Sequence, residues 1–158
     1  MNPLEMLSHK IGRAAMLLAH AVETTPAEYY HWKPVAVGQT GEGRTIVDQL
    51  LEVGGIFAKF TSIIDGTEPV DHGFDKEAID GATAIKFMKD SAANLSAAIL
   101  AMDEGRLTEV HDLGWSKMPI GFMIEMAHNN AIYHFGQVNY MQLLLGDPEF
   151  HMPPGFMD

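Results

Sequence analysis

The 158-residue sequence contains no cysteine, few basic residues and no long apolar run. Without cysteine, the chain itself can form no disulfide, no cysteine-ligated zinc site and no thiol nucleophile. Ten lysines and arginines against 21 aspartates and glutamates give a formal net charge of −11. Nucleic acids and anionic membrane surfaces attract clusters of basic side chains, so we expect neither as a partner.

Signals for membrane insertion and secretion are also missing. No stretch approaches the roughly 20 consecutive apolar residues that cross a bilayer. The first ten residues, MNPLEMLSHK, lack the basic start and apolar run of a secretory signal. Because a chain without cysteine also suits a reducing compartment, we expect a cytoplasmic protein.

What the sequence does contain is helical periodicity. Its length suits a single domain over 1–158, and 47% of its residues are hydrophobic, enough for a core. Apolar residues recur at steps of three and four in four segments, which predicts amphipathic helices from about Leu4 to Val22, Thr45 to Ile64, Glu77 to Met102 and Pro119 to Leu145. No segment alternates convincingly as a strand does. Four such helices can bury their apolar stripes only against each other, which predicts an all-α four-helix bundle.

The connection between the first two helices is long, running from about Glu23 to Arg44. A connection of this length could cross the end of the bundle, so it leaves the helix topology open. Other residues mark helix ends: Asp75 and Glu77 favour the start of the third helix, and Pro119 fits the first turn of the fourth.

The fourth helix has an unusual apolar stripe. Its regularly spaced, core-facing positions are Met123, Ala127, Asn130, His134, Gln137, Met141 and Leu144. The middle three are polar, and buried polar groups are costly unless they are paired or bind something. They therefore indicate either a hydrogen-bonded network that sets the helix register, or a ligand or metal site in the bundle core.

A partner for this stripe is found on the second helix. Glu52 lies at the edge of that helix's apolar arc, on the flank that includes Gln49. Such a position is ordinarily that of a half-exposed glutamate. His128 also lies on the fourth helix, but about 100° away from the stripe, so we rank it below His134 as a ligand and interpret it as a surface or interface histidine.

At these residues the chain resembles the DinB/YfiT-like superfamily. The resemblance rests on YHFGQ at 133–137, which contains the family's His-x-Gly-Gln element, and on WKP at 32–34 followed by GRTI at 43–46. It extends over nearly the whole chain. It implies a four-helix bundle, often a homodimer, that binds a divalent metal through one histidine on the second helix and two on the fourth. Carried over to this sequence, that triad becomes Glu52, Asn130 and His134.

The resemblance implies a metal-binding protein with transferase or hydrolase activity towards a small-molecule or thiol substrate. Glu52 and His134 would bind Zn²⁺, Ni²⁺ or Mn²⁺, with Asn130 as a weaker amide ligand and Gln137 supporting His134. The alternative is a dimeric protein without catalysis and without a cofactor. Its pocket would be a metal-free polar network or a small-molecule binding site. The sequence indicates no catalytic residue and no particular substrate.

Overall fold

The computed structural model describes residues 1–34 and 43–156, and these ranges are mostly helical. The long helices are α1 (Pro3–Glu23), α2 (Ile46–Asp65), α3 (Gly81–Ala101) and α4 (Ile120–Leu144). The remaining regular elements are two short 3₁₀ helices, Ala27–Tyr29 and Glu104–Thr108, and two strands, β1 (Val110–Asp112) and β2 (Lys117–Pro119). None of the helices in the described ranges is long and apolar enough to cross a membrane.

Local side chains explain where α1 and α2 begin. Asn2 accepts a hydrogen bond from the Glu5 amide, and the Glu5 carboxylate accepts one from the Asn2 amide, each at 2.8 Å. Thr45 and Asp48 form the same reciprocal arrangement at the start of α2. Such capping boxes satisfy amide groups that have no partner inside the helix. Asp48 is therefore part of the helix start.

The predicted start of α3 near Glu77 is wrong by four residues. The cap of α3 is Asp80, whose side chain accepts a hydrogen bond from the Thr83 amide at 2.8 Å. Asp75 instead closes a separate turn by accepting from the Glu77 amide at 3.0 Å. Acidic side chains stabilise turns as well as helix starts, so the aspartate at position 75 does not by itself distinguish a turn from the start of a helix. Pro119 is likewise the cap of α4 and lies just before its first turn.

The expectation of no strand is also wrong. Strands β1 and β2 pair antiparallel, with His111 opposite Met118. The turn between them includes Gly114, whose φ of 84° is a conformation that favours glycine. Three residues per strand are too few to show the alternation by which strands are predicted. The hairpin leads directly into α4.

The helices surround a single apolar core in which consecutive helices are not always neighbours. Helix α1 packs mainly against α3 and α4, and α2 packs against the same two helices. Each helix contributes fully buried side chains, for example Leu18, Leu50, Leu95 and Met123. Helices α1 and α2 therefore lie diagonally across the core from one another, which answers the question left open by their long connection.

Candidate functional site

The buried face of α4 differs from the predicted stripe at its margins. His134 is completely buried, as are Met123 and Ala127. The flanking core positions are filled by Ala131 and Val138, whereas Asn130 and Gln137 are only half-buried. Leu144, predicted to face the core, is 49% exposed. His134 is thus the polar residue at the centre of this face, with the two amides beside it.

Both ring nitrogens of His134 face side chains of α2. Nδ1 is hydrogen-bonded to Oε1 of Gln49, and Nε2 lies 3.1 Å from Oε1 of Glu52. Gln49 and Glu52 are three residues apart, so they lie on the same face of α2. Gln49 is buried, while the Glu52 side chain is 33% exposed. The structure therefore brings the predicted residues Glu52 and His134 together and adds Gln49, which sequence reasoning had noted only as a neighbour of Glu52.

Arg44 extends this set of contacts towards solvent. Its Nη1 pairs with Oε2 of Glu52, so one carboxylate contacts both Arg44 and His134. The Arg44 side chain is 55% exposed. We refer to Arg44, Glu52, His134 and Gln49 as the polar network. It runs from the protein surface to the core, and its charged members are those nearest the surface.

His134 has a reduced affinity for a second proton. Burial lowers the pKa of its ring, the positive charge of Arg44 acts in the same direction, and the side chain of Gln137 opposes the shift. The Glu52 carboxylate would favour a charged ring, but its own charge is paired with Arg44. We therefore treat His134 as neutral near pH 7.

A neutral imidazole has one N–H, which allows two arrangements in the network. If Nε2–H donates to Glu52, Nδ1 can accept from the Gln49 amide once that amide is turned by 180°. If Nδ1–H donates to Gln49 Oε1, the lone pair of Nε2 faces the carboxylate, an arrangement that requires a proton on Glu52 or another cation between the two atoms. The first arrangement satisfies both nitrogens with the protein's own groups.

Two further acceptors beside His134 have no partner. Oδ1 of Asn130 and Oε1 of Gln137 are buried and make no hydrogen bond to any residue in the described ranges. Buried polar atoms are nearly always satisfied by protein, water or ligand. Gln49 is hydrogen-bonded to Nδ1 of His134, and the side chain of Gln137, which we expect to support the ring, acts on it by raising its pKa.

A pocket of about 720 Å³ opens beside the polar network, between the start of α2 and the second half of α4. This is within the roughly 300–1,000 Å³ typical of small-molecule sites. Within residues 1–34 and 43–156 its lining includes the polar residues Arg44, Gln49 and Gln137. The other lining residues there are Pro34, Gly136 and the apolar and aromatic residues Ile132, Tyr133, Tyr140 and Met141. Gln49 thus contacts both the pocket and His134.

The residues present fit a divalent metal poorly. No group of three histidine, cysteine or acidic side chains suited to a metal occurs among residues 1–34 and 43–156. Glu52 and His134 offer two good ligands, but any third must be an amide oxygen such as that of Asn130, which binds weakly. The pairing of Glu52 with Arg44 also competes with a metal for the carboxylate. His128 is apart from this set, with Nδ1 lying 3.2 Å from Oδ1 of Asn129.

Comparisons with known proteins inform the fold alone. No protein-family model and no curated protein sequence matches the chain. The structure is similar to the crystal structure of a conserved protein from Enterococcus faecalis, with a TM-score of 0.74 and 14% sequence identity. The similarity covers 92% of this chain and 99% of that one. At such low identity, the chain shares a helical fold with this protein, and nothing about function follows.

Proposed function

We propose that this chain is a DinB/YfiT-like four-helix bundle that binds a small molecule without a metal. The observation that carries the proposal is the pocket of about 720 Å³, whose lining among the described residues combines mainly apolar and aromatic walls with the polar side chains of Arg44, Gln49 and Gln137. Ligand sites are typically concave and mainly apolar, with a few placed polar groups that set orientation. By the resemblance, Glu52 and His134 of the polar network correspond to positions at which the DinB/YfiT-like superfamily holds its metal.

The network would serve to hold the polar groups of the pocket in place. His134 is completely buried and binds Gln49, so it limits the orientations of the Gln49 amide. Glu52 does the same for Arg44 through their ion pair. Preorganised groups lose less freedom when a ligand binds, which favours affinity. In this proposal His134 and Glu52 are positioning residues, whereas Gln49 and Arg44 contact the ligand.

Gly136 offers a way to block the pocket without disturbing the core. It lines the pocket, and a Cβ added there would meet no atom within 4 Å. Gly12 on α1 is a matched control, because it is also an exposed helical glycine with open space around it. Leucine is a better helix former than glycine, so both Gly136→Leu and Gly12→Leu should fold.

A fragment library screened by NMR tests the proposal, with the ring signals of Tyr133 and Tyr140 as reporters. We expect some fragments to shift these signals in the natural protein and in Gly12→Leu, and the same fragments to have no effect in Gly136→Leu. Equal shifts in both variants, or a library that leaves both tyrosines unchanged in the natural protein, would overturn the proposal.

A divalent-metal protein with transferase or hydrolase activity is the second candidate, and one distance favours it. Ligand atoms about 2.1 Å from a metal and at right angles to each other are about 3.0 Å apart. Nε2 of His134 and Oε1 of Glu52 lie 3.1 Å apart, and the free Oδ1 of Asn130 is a third candidate ligand. A bound Zn²⁺, Ni²⁺ or Mn²⁺ would supply a Lewis acid that activates water or a thiol.

Metal analysis of the purified, untagged protein separates the two candidates. The metal hypothesis requires stoichiometric metal in the natural protein that is lost in His134→Ala and Glu52→Ala and retained in His128→Ala. Protein that remains metal-free after incubation with excess Zn²⁺, Ni²⁺ and Mn²⁺, followed by desalting, would exclude it and leave the metal-free pocket.

The exposed face of α4 supports a homodimer as part of the proposal. Phe122 and Leu143 lie along this helix, outside the residues that line the pocket, and are each more than half exposed. Large exposed apolar side chains that align on one helix commonly mark an interface. Light scattering coupled to size-exclusion chromatography should give a mass near twice the 17.4 kDa of one chain. A monomeric mass at micromolar concentration would remove this part of the proposal.

A further inference from the structure

We infer that the pocket binds a small aromatic monocarboxylate, with the carboxylate on Arg44 and the ring between Tyr133 and Tyr140. The inference rests on the proposed small-molecule function and specifies its ligand class. It follows from the charge of the pocket, from the hydrogen-bond donors of Arg44 that the described residues leave unused, and from the spacing of residues on α4.

Arg44 is the anchor for an anion. Among the pocket's lining residues in the described ranges, it alone carries a positive charge. A guanidinium group has five N–H donors in a planar fork, which suits a carboxylate held by two parallel hydrogen bonds. In the described ranges only Nη1 of Arg44 is hydrogen-bonded, to Glu52, and the side chain is 55% exposed. The other donors can therefore bind a second carboxylate, while Glu52 keeps the side chain in place.

The walls of the pocket favour a flat ring. Tyr133, Gly136, Gln137 and Tyr140 follow one another at positions i, i+3, i+4 and i+7, so they lie on one face of α4. The two tyrosines are 62% and 61% exposed, and Gly136 between them contributes no side chain. A Cβ at Gly136 would meet nothing within 4 Å, so open space separates the two tyrosines. An aromatic ring in that space could contact both, and aromatic pairs add to the free energy of burial.

The overall charge of the protein makes the experiment selective. With a net charge of −11, the protein as a whole repels anions, so tighter binding of an acid than of its neutral analogue must come from a local cation. Phenylacetate and phenylacetamide are suitable probes, since they differ mainly in charge. Arg44→Gln removes the proposed anchor and Arg44→Lys keeps its charge. Lys86→Gln changes the net charge by the same amount on the exposed face of α3, where Lys86 pairs with Asp90.

The inference is tested by titrating both probes into each protein at constant pH and ionic strength and measuring their affinities by NMR. Circular dichroism confirms that each variant folds. We expect phenylacetate to bind about tenfold more tightly than phenylacetamide in the natural protein and in Lys86→Gln. Arg44→Gln should abolish that preference and Arg44→Lys should retain part of it.

Several outcomes would overturn the ligand class. One is equal affinity for the two probes in the natural protein. Another is a loss of the preference for phenylacetate in Lys86→Gln that equals the loss in Arg44→Gln. If phenylacetamide shifts the ring signals of Tyr133 and Tyr140 as strongly as phenylacetate does, the proposed role of the carboxylate is contradicted, but the proposal of a binding pocket is retained. If neither probe nor any library fragment shifts these tyrosines, the proposed function itself fails.

Discussion

Oε1 of Glu52 lies 3.1 Å from Nε2 of His134, although the two residues are 82 positions apart in the chain. The other ring nitrogen is bound to Gln49, so His134 is held by α2 at both nitrogens. The ring is therefore a link between two helices as well as a part of the candidate site. Its role in stability and its role in binding need separate measurements.

Replacing His134 with alanine should destabilise the protein by about 2–4 kcal/mol, because it leaves a cavity in the core and removes the partner of a buried Gln49 side chain. Urea denaturation measures this change. His128→Ala is the control, because His128 is only half-buried and contacts its neighbour Asn129. We expect a change within about 0.5 kcal/mol there. Equal losses in the two variants would contradict the role of the network in stability.

The free energy of unfolding should depend on pH through His134. Burial lowers the pKa of His134 from its ordinary value of 6.5, so between the folded-state pKa and 6.5 the unfolded chain binds more protons than the folded one. Stability should therefore fall as the pH drops below about 6.5, and this contribution should be constant above it. Urea denaturation at several pH values measures the slope.

Two variants isolate this contribution from that of the carboxylates. His134→Gln cannot take up the proton, so its stability should depend less steeply on pH below about 6.5. His128→Gln should keep the slope of the natural protein. If His134→Gln retained the full slope, the folded protein would not resist protonation at this residue.

Two adjacent glycines on α2 should respond in opposite directions to alanine. A Cβ at Gly54 would lie 2.6 Å from Cε1 of Phe87 and 3.1 Å from the Cα of Met88, so Gly54→Ala requires the Phe87 ring to move and α3 to shift slightly. We expect a loss of about 1–3 kcal/mol. At Gly55 no atom lies within 4 Å, so Gly55→Ala should stabilise the helix by up to about 1 kcal/mol. Thermal or urea unfolding of both variants gives the comparison, and equal effects would contradict this close packing.

Gln142 should be the more important of the two glutamines near the end of α4. It is 2% exposed, and its Nε2 donates to the carbonyl oxygen of Ala21 at 2.9 Å and to Oγ1 of Thr25 at 3.1 Å. Gln142→Ala breaks this link between α4 and α1 and should cost about 1–3 kcal/mol. Gln137→Ala removes a half-buried side chain that makes no hydrogen bond to another helix within residues 1–34 and 43–156, so its cost should be smaller. A larger loss in Gln137→Ala would contradict the assignment.

Local signals predicted the four helices well and their ends less well. Periodic apolar residues placed every helix within a few residues, because side chains three and four apart share a face whatever the rest of the fold. The start of α3 was misplaced since Asp75 stabilises a turn and Asp80 the helix, and both are short polar residues before an apolar segment. The hairpin was missed because three-residue strands carry no periodic signal.

The sequence by itself determined that His134 would be a buried polar residue at the centre of α4 and that Glu52 would stand at the edge of the α2 stripe. Only the tertiary structure decided which groups meet the ring. The rotation of α2 against α4 brings Gln49 to Nδ1, and the chain before α2 brings Arg44 to Glu52. Periodicity defines the face of one helix but not its rotation relative to another. That rotation results from the packing of the whole core, which also places α1 and α2 diagonally across it.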